Sequence, residues 1–205
     1  MNGAKIMRSL GIIGQIFVIC FAYCVSASGQ ITVYIAGDST AANKAEDRRP
    51  ETGWGEMLQQ HFDRAKVKID NRALNGRSTK SFVDEGHWKK ILDALKKGDF
   101  VFVEFGHNDE KKDKPAVYAS PDDYKANLVK FINETRAKGA TPIIITPVSR
   151  RKFENETLVK THGDYPDAAK AVAREQKVAL TIWKAKVRRS SRDTVRMVRR
   201  NCFCN

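Results

Sequence analysis

Cysteine is scarce in this 205-residue chain and absent from its centre. The four cysteines are Cys20, Cys24, Cys202 and Cys204, so none lies between residues 28 and 180. This distribution excludes a disulfide framework for the central part, and a C-x-C pair alone does not indicate a metal site. We therefore expect neither a disulfide nor a metal in the body of the protein.

Long apolar runs are also lacking, with one exception near the N-terminus. Residues 10–25 form an apolar stretch that follows Lys5 and Arg8 and leads into Val-Ser-Ala at 25–27. A basic start, an apolar centre and a small-residue end are typical of a secretory signal peptide. A short membrane anchor is the alternative, although the run is brief for a bilayer span. We predict a signal peptide over 1–27, a secreted or periplasmic protein, and no membrane contact after cleavage.

Acidic residues are fewer than basic ones, 24 against 37, and the formal net charge is +13. Residues 181–205 carry +7 of this charge and residues 1–27 carry +2, which leaves +4 for residues 28–180. A surplus this small over 153 residues is typical of a solvated surface and not of a stripe that follows phosphates. The sequence therefore argues against a nucleic-acid partner, and the basic tail needs its own explanation.

The chain does contain a regular alternation of apolar runs and helical periods. Strands are predicted at 31–36, 67–69, 100–105, 142–146 and from 178 onward, and helices at 55–62, 87–97, 122–138 and 166–176. Strands that are apolar on both faces, alternating with helices, predict an α/β fold with a parallel sheet covered on both sides. We assign it to one domain over 28–180.

Polar residues follow three of these strands at the point where each strand ends. They are Gly37-Asp38-Ser39-Thr40 after the first strand, Asn75-Gly76 after the second and Gly106-His107-Asn108-Asp109 after the third. Ligands bind at the carboxyl ends of strands in open α/β sheets. Ser39 is a candidate nucleophile, and a serine that attacks a carbonyl needs donors for the oxyanion. The N–H groups of Ser39 and Gly76 and the Asn108 amide are candidate donors.

Each segment has a simpler interpretation when it is taken alone. Asp38-Ser39-Thr40 is compatible with a helix cap, and Asn-Gly is a common turn pair. His107 is compatible with a buried structural histidine, and Asn108-Asp109 with another cap. The three segments in this order are much more specific than any one of them. A phosphate loop is excluded, because no Gly-Lys-Ser/Thr follows Gly37.

In this order, the Gly-Asp-Ser of 37–39, Gly76 and the Gly-His-Asn-Asp of 106–109 resemble the first three motif blocks of the SGNH, or GDSL-type, hydrolases. Further segments make the chain similar to the rhamnogalacturonan acetylesterase branch: Thr40 in place of leucine, Gly53-Trp54-Gly55, Asn75-Gly76-Arg77-Ser78 and His162-Gly163-Asp164-Tyr165-Pro166. The resemblance covers about residues 31–180.

The resemblance implies a flavodoxin-like three-layer α/β/α sandwich, here truncated at its C-terminal end. It also implies hydrolysis of acetyl esters on pectic polysaccharide, with Ser39 as nucleophile and Ser39, Gly76 and Asn108 as oxyanion donors. No metal or organic cofactor is implied. The expected partner is an acetylated polysaccharide, and we expect a monomer.

Several other residues are candidates for contact with a sugar chain. The rings of Trp54, Trp88 and Tyr165 are suited to stacking, although the helical spacing of Trp88 favours the core. His162 is predicted on a loop that approaches the substrate. Arg77 and Lys80 are either partners for an acidic galacturonate backbone or ordinary surface charges.

The family's fourth block is missing from the printed sequence. That block is an Asp-x-x-His near the C-terminus, in which the histidine is the general base and the aspartate orients it. No histidine follows His162. His107 belongs to the third block, and His61 and His87 lie on predicted helices, so His162 is the remaining substitute for the base.

The tail suggests how the block was lost, because TIWKAKVRRSSRDTVRMVRRNCFCN has no apolar stripe and is abruptly basic. The codons CTG-ATC-GAT-TTG would read Leu-Thr-Ile-Trp if the T of ATC were deleted. Restoring that base, with permitted codons, turns the tail into LIDLESKSETLVERYGPDGSKKLFLQ, which has helical spacing and balanced charge. We hypothesise that the reading frame slips near Thr181. Sequencing codons 178–184 in independent isolates tests this hypothesis.

Two functions of different classes therefore stay open. The first is a secreted carbohydrate acetylesterase by descent, inactive as written because its Asp/His base is missing. The second is a non-catalytic polysaccharide-binding protein that keeps the groove.

Overall fold

The computed structural model describes residues 29–155 and 157–183. The predicted signal peptide and all but the first three residues of the basic tail lie outside the described residues.

A five-stranded parallel sheet forms the centre of the molecule. Its strands are β1 (Ile31–Gly37), β2 (Val67–Asn71), β3 (Phe100–Glu104), β4 (Thr141–Ile145) and β7 (Ala179–Thr181), in the spatial order β2-β1-β3-β4-β7. All four pairings are parallel. The predicted α/β class and parallel sheet are confirmed. A two-stranded antiparallel hairpin, β5 (Phe153–Glu154) and β6 (Thr157–Leu158), was not expected from the sequence.

The helices also follow the predicted pattern, with one change and one addition. They are α1 (Trp54–Met57), α2 (Thr79–Asp84), α3 (His87–Ala94), α4 (Pro121–Ala137) and α5 (Tyr165–Glu175). The predicted helix over 55–62 is only four residues long and continues as a 3-10 turn over Leu58–His61. Its Gln59 side chain bonds to the backbone of Val67 and Ile69, which ties the turn to β2. None of the helices within the described residues is long and apolar enough to cross a membrane.

Helix α2 was missed because six residues are too few to show a period. Its cap is reciprocal: the Ser78 hydroxyl accepts from the Ser81 N–H, and the Ser81 hydroxyl accepts from the Ser78 N–H. This is a capping box with serine where glutamate or glutamine is usual. The helix begins three residues after Gly76, so it positions the loop at the end of β2.

The core is unequal on the two faces of the sheet. The larger cluster packs α2 to α5 on one face, and its fully buried members include Phe82, Phe105, Tyr124 and Phe131. The cluster on the other face is small and centres on Ile35, with Trp54 and Leu58 packed against it. Helices lie on both faces as predicted, but within the described part α1 is the one α-helix over the second face.

Candidate functional site

The three predicted segments meet at one edge of the sheet because their strands are neighbours. β1 lies between β2 and β3, and all three run in the same direction. Beyond the strands, the N–H of Leu74 donates to the carbonyl of Gly37 at 3.0 Å, which joins the loops after β2 and β1. The Asn108 amide donates to the Arg77 carbonyl at 2.9 Å, which joins the loops after β3 and β2.

Ser39 lies in a tight turn directly after β1. The Asp38 carboxylate accepts from the Thr40 N–H at 2.9 Å, and the N–H groups of Ala41 and Ala42 donate to the Asp38 carbonyl. Ser39 itself is half-buried. Its hydroxyl makes no hydrogen bond to any residue that the structure describes, so it is free to face a substrate.

Lys44 connects the nucleophile turn to the next loop, and the sequence analysis missed it. Its ammonium donates to the Ser39 carbonyl at 2.5 Å and to Asn75 Oδ1 at 3.2 Å, and it pairs with Glu51 at 2.9 Å. The side chain is only 4% exposed. A lysine in a polar stretch looks like a surface charge, so no sequence signal distinguishes this one.

Gly76 has the backbone geometry that its position requires. Its φ is +77°, a left-handed value that glycine adopts without strain, and a Cβ there would touch nothing within 4 Å. Gly76 is exposed, in the loop whose Asn75 is hydrogen-bonded to Lys44. Glycine is therefore present for its conformation and for the free approach to its peptide.

Asn108 is 3% exposed and its amide is held in one orientation. The Nδ2 atom donates to the Arg77 carbonyl, and Oδ1 accepts from the Lys111 ammonium at 2.6 Å. Reversing the amide would place an NH₂ against an ammonium and an oxygen against a carbonyl. The second Nδ2 hydrogen makes no hydrogen bond within the described residues, so it is available to an oxyanion.

The buried Asp109 connects the loop after β3 to helix α2. Its carboxylate accepts from the backbone N–H of Thr79 at 2.9 Å and from the Thr79 hydroxyl at 2.5 Å, which attaches the β3 loop to the first residue of α2. Burial raises the pKa of Asp109 to about 7, against the opposing effect of these hydrogen bonds. Asp109 is not the cap of a helix that follows it, because the N-cap of α2 is Ser78, while Asn108 has the separate contacts described above.

The structure argues against His162 as a substitute base or a substrate contact. The side chain is 3% exposed, its Nε2 faces the Val148 carbonyl at 2.9 Å and its Nδ1 faces Glu110 at 3.0 Å. His107 shares the same carbonyl at 2.7 Å, and the two rings lie 4.2 Å apart. Burial lowers the pKa of His107, which favours the neutral ring. Among the described residues, no histidine contacts the Ser39 hydroxyl.

The aromatic candidates divide into core and surface. Tyr165 is 5% exposed and its hydroxyl donates to the Ala119 carbonyl at 2.7 Å, so its ring is not open to a sugar. Trp88 is 2% exposed and packs on Phe131 at 4.3 Å, as its spacing indicated. Trp54 is half-buried at the sheet edge, with its ring 6.1 Å from that of Trp183. Trp54 therefore stays a prediction as a substrate contact.

The remaining charged candidates have local partners. Arg77 pairs with Glu85 at 2.9 Å, and Lys80 pairs with Asp84 at 3.0 Å across one helical turn. Contact of Arg77 and Lys80 with a galacturonate backbone stays a prediction. Within the described residues, no three histidine, cysteine, aspartate or glutamate side chains come together in a way that could hold a metal ion.

The arrangement as a whole is suited to stabilising a negative oxygen next to a serine. A free hydroxyl, an exposed glycine peptide and an oriented amide hydrogen lie on three adjacent loops that are hydrogen-bonded to one another. Such preorganised donors are the main device by which acyl-transfer enzymes stabilise a tetrahedral intermediate. What the described part lacks is a group placed to take the proton of Ser39.

Comparison with known proteins agrees with this chemistry. The model of the GDSL-like Lipase/Acylhydrolase family matches residues 35–196. A probable rhamnogalacturonan acetylesterase of Bacillus subtilis, YesY, is 42% identical over 149 residues, which are 72% of this chain and 68% of the relative. The rhamnogalacturonan acetylesterase RhgT of the same organism is 40% identical over 146 residues, or 71% of this chain and 61% of the relative.

Solved structures give the same fold. The YXIM_BACsu protein of Bacillus subtilis superposes with a TM-score of 0.67 at 29% identity, over 74% of this chain and 43% of that one. Axe2, an acetylxylan esterase of Geobacillus stearothermophilus, superposes with a TM-score of 0.56 at 21% identity, over 74% and 76% of the two chains. The matched part thus spans about two thirds of the two acetylesterases and less than half of the larger solved chain.

Proposed function

The chain belongs to the GDSL-like lipase/acylhydrolase family, and we propose that its function is to remove acetyl groups from a pectic polysaccharide. Family membership makes it a carboxylic-ester hydrolase by descent. The observation that supports the finer proposal is that the loops carrying Ser39, Gly76 and Asn108 are hydrogen-bonded to one another at one edge of the sheet. The two Bacillus relatives, both named as rhamnogalacturonan acetylesterases, support the substrate class.

In the proposed mechanism, Ser39 Oγ attacks the carbonyl carbon of a sugar acetate. The carbonyl oxygen becomes an oxyanion that accepts hydrogen bonds from the Ser39 N–H, the Gly76 N–H and the Asn108 amide. The sugar hydroxyl then leaves, and water hydrolyses the acetyl-serine ester. Each half of the reaction needs a base that accepts a proton and returns it to the leaving oxygen.

We infer that the printed chain does not supply that base. No described histidine is hydrogen-bonded to the Ser39 hydroxyl, and residues 184–205 contain no histidine. Loss of a triad base costs an acyl-transfer enzyme on the order of 10⁴- to 10⁶-fold in rate. We therefore propose that efficient hydrolysis requires the reading frame restored near Thr181.

The proposed location follows from the substrate. An esterase that acts on the intact polymer works outside the cell, and the signal peptide predicted over 1–27 supports that location. We propose a secreted or periplasmic protein that acts as a monomer on its polymer.

The decisive experiment is acetate release from acetylated rhamnogalacturonan by the 205-residue chain, by the frame-restored version and by Ser39→Ala of each. We expect activity in the frame-restored version and its loss in that version's Ser39→Ala variant. Activity of the 205-residue chain that Ser39→Ala abolishes would show a base that we have not identified. Activity that survives Ser39→Ala in both would overturn the serine mechanism.

A non-catalytic polysaccharide-binding protein is the second candidate, favoured by the absence of a described base. It predicts retention of the 205-residue chain on acetylated pectin without acetate release. Binding that is equal on deacetylated pectin would show that the acetyl site is not used.

A further inference from the structure

Two buried carboxyl groups, Asp38 and Glu104, lie under the turn that carries Ser39, and both are fully inaccessible to solvent. They are joined by one hydroxyl: Thr40 Oγ1 is 2.9 Å from Asp38 Oδ1 and 2.5 Å from Glu104 Oε2. No lysine or arginine in the described part pairs with either acid. A buried pair of like charges without a counterion is strongly unfavourable.

The number of available hydrogens limits which hydrogen bonds this cluster can form. A hydroxyl carries one hydrogen, so Thr40 can donate to one carboxyl group and must accept from the other. The N–H of Thr40 already donates to Asp38 Oδ1, while Asp38 Oδ2 makes no hydrogen bond within the described residues. At Glu104, the Trp54 indole faces Oε2 at 3.5 Å and the Val148 N–H faces Oε1 at 3.4 Å, both long for hydrogen bonds. A proton on Glu104 Oε2 has Thr40 Oγ1 as its acceptor, whereas a proton on Asp38 Oδ2 would have no acceptor within the described residues, so the shared proton belongs on Glu104.

The groups around the pair agree with a single negative charge. Burial first, and then the charge of Asp38, raise the pKa of Glu104 to about 8. From α4, Tyr124 faces the pair as a neutral phenol, because burial raises its pKa. His107 and Asp109 face Asp38 from the loop after β3, and burial favours the neutral form of each.

We propose that Glu104 is a positioning residue that stays protonated in the folded protein and donates its proton to Thr40 Oγ1, so that Thr40 donates to Asp38 and the Ser39 turn is fixed to β3. One proton is taken up from water when the two acids are buried, and no bond other than O–H is made or broken. The functional importance of the turn rests on the proposed function, because Ser39 is the proposed nucleophile. The hydrogen bonds from Glu104 to Thr40 and from Thr40 to Asp38 do not depend on that function.

The same geometry explains what ionisation would do. Removing the Glu104 proton leaves Thr40 with two acceptors and one hydrogen, so one of the two links must open. Two negative charges would then lie under the turn, and the turn would move away from β3. Ser39 would lose its position relative to Gly76 and Asn108 without losing its own hydroxyl.

The test uses the 205-residue chain with glutamate labelled with ¹³C at its side-chain carboxyl, followed by NMR against pH. We expect one carbon to titrate near pH 8 and to be missing from Glu104→Gln, and the Ser39 and Thr40 amide signals to shift at the same midpoint. In Glu104→Gln, whose amide can still donate to Thr40, those two amide signals stay in place across this range. Glu134→Gln, at a half-buried position of α4 where the side chain accepts from the Trp88 indole and pairs with Lys130, is the control and should leave the shift near pH 8 intact.

A titration of the Glu104 carbon near the ordinary carboxyl value of 4.5 would overturn the proposal. So would amide shifts of Ser39 near pH 8 that persist in Glu104→Gln. Thr40→Val, which removes the hydroxyl from a half-buried position, must uncouple the Ser39 signal from the Glu104 carbon even if other Glu104 variants fail to fold. Acetate release is measured separately, so the NMR titration can be interpreted even if the esterase assay shows no activity.

Discussion

At the scale of single residues, two lysines do the positioning that the motif residues need. Lys44 ties the Ser39 carbonyl to Asn75, and Lys111 holds Oδ1 of Asn108. Hydrogen bonds to charged groups are shorter and stronger than neutral ones. The lysine on Oδ1 also draws electron density from the amide, which makes the free Nδ2 hydrogen a better donor.

Lys111→Met should release the Asn108 amide. Losing a charge-assisted hydrogen bond of about 1.5–3 kcal/mol should speed hydrogen exchange at the Asn108 side-chain amide by about tenfold or more, as followed by NMR. Lys112→Met removes the same charge from an exposed neighbour and should leave the exchange unchanged. Equal acceleration in the two variants would mean that only the overall charge matters.

At the scale of elements, α4 is the main support behind the site. Its cap is Ser120, whose hydroxyl accepts from the Asp123 N–H at 3.1 Å, and its buried face carries Tyr124, Leu128, Phe131 and Ile132. Tyr124 donates to the Phe105 carbonyl at 3.1 Å. The helix thus holds the last residue before the Gly106 turn and, through it, the loop of Asn108.

Phe131→Ala should destabilise the fold by about 3–5 kcal/mol, the usual cost of emptying a buried aromatic site. The ring is fully buried against Trp88 and Phe105, with centroids 4.3 and 6.1 Å away. Phe62→Ala removes a ring that is 40% exposed and should cost less than about 1 kcal/mol. Urea unfolding followed by circular dichroism compares the two, and similar losses would contradict this account of the core.

Much of this architecture was predictable from the chain. The strands from β1 to β4 and the helices α3 to α5 agree with prediction to within a few residues, because long apolar runs and helical periods carry that information. Helix α2 and the hairpin of β5 and β6 were not predicted, because the formation of such short elements depends on their contacts with the rest of the chain. Gly106 was recognisable from its motif, but the sequence did not show the contact that requires glycine there, because a Cβ at this position would clash with the Pro147 ring.

At the scale of the whole molecule, the buried acids link stability to pH. Burial raises the pKa of Asp109 from 3.8 to about 7 and that of Glu104 from 4.5 to about 8. Between the ordinary and the raised value the folded state binds more protons than the unfolded state, so stability falls as pH rises through this window. Protonation of His107, whose pKa is lowered, opposes this trend below pH 6.5 and does not cancel the two acids.

Asp109→Asn should flatten part of this dependence. At about 1.4 kcal/mol per pH unit, the wild-type chain should lose up to about 3 kcal/mol between pH 5 and 7 through Asp109 alone, and the variant should keep it. Urea midpoints at the two pH values measure the difference. Asp93→Asn, at an exposed ion pair on α3, is the control, and a variant that keeps the full wild-type slope would contradict the buried-acid explanation.

The sequence by itself determined the order of the elements and the parallel sheet, and it selected Ser39, Gly76 and Asn108 as candidates, because apolar periodicity and motif spacing are local properties of a chain. Only the tertiary structure decided which polar residues are buried. His162 and Tyr165 were predicted to meet a substrate and instead bond to Val148, Glu110 and Ala119, while Lys44, Lys111 and Glu104 support the site. Burial depends on what packs from distant parts of the chain, and in this protein it separates a side chain that faces substrate from one that holds the loop in place.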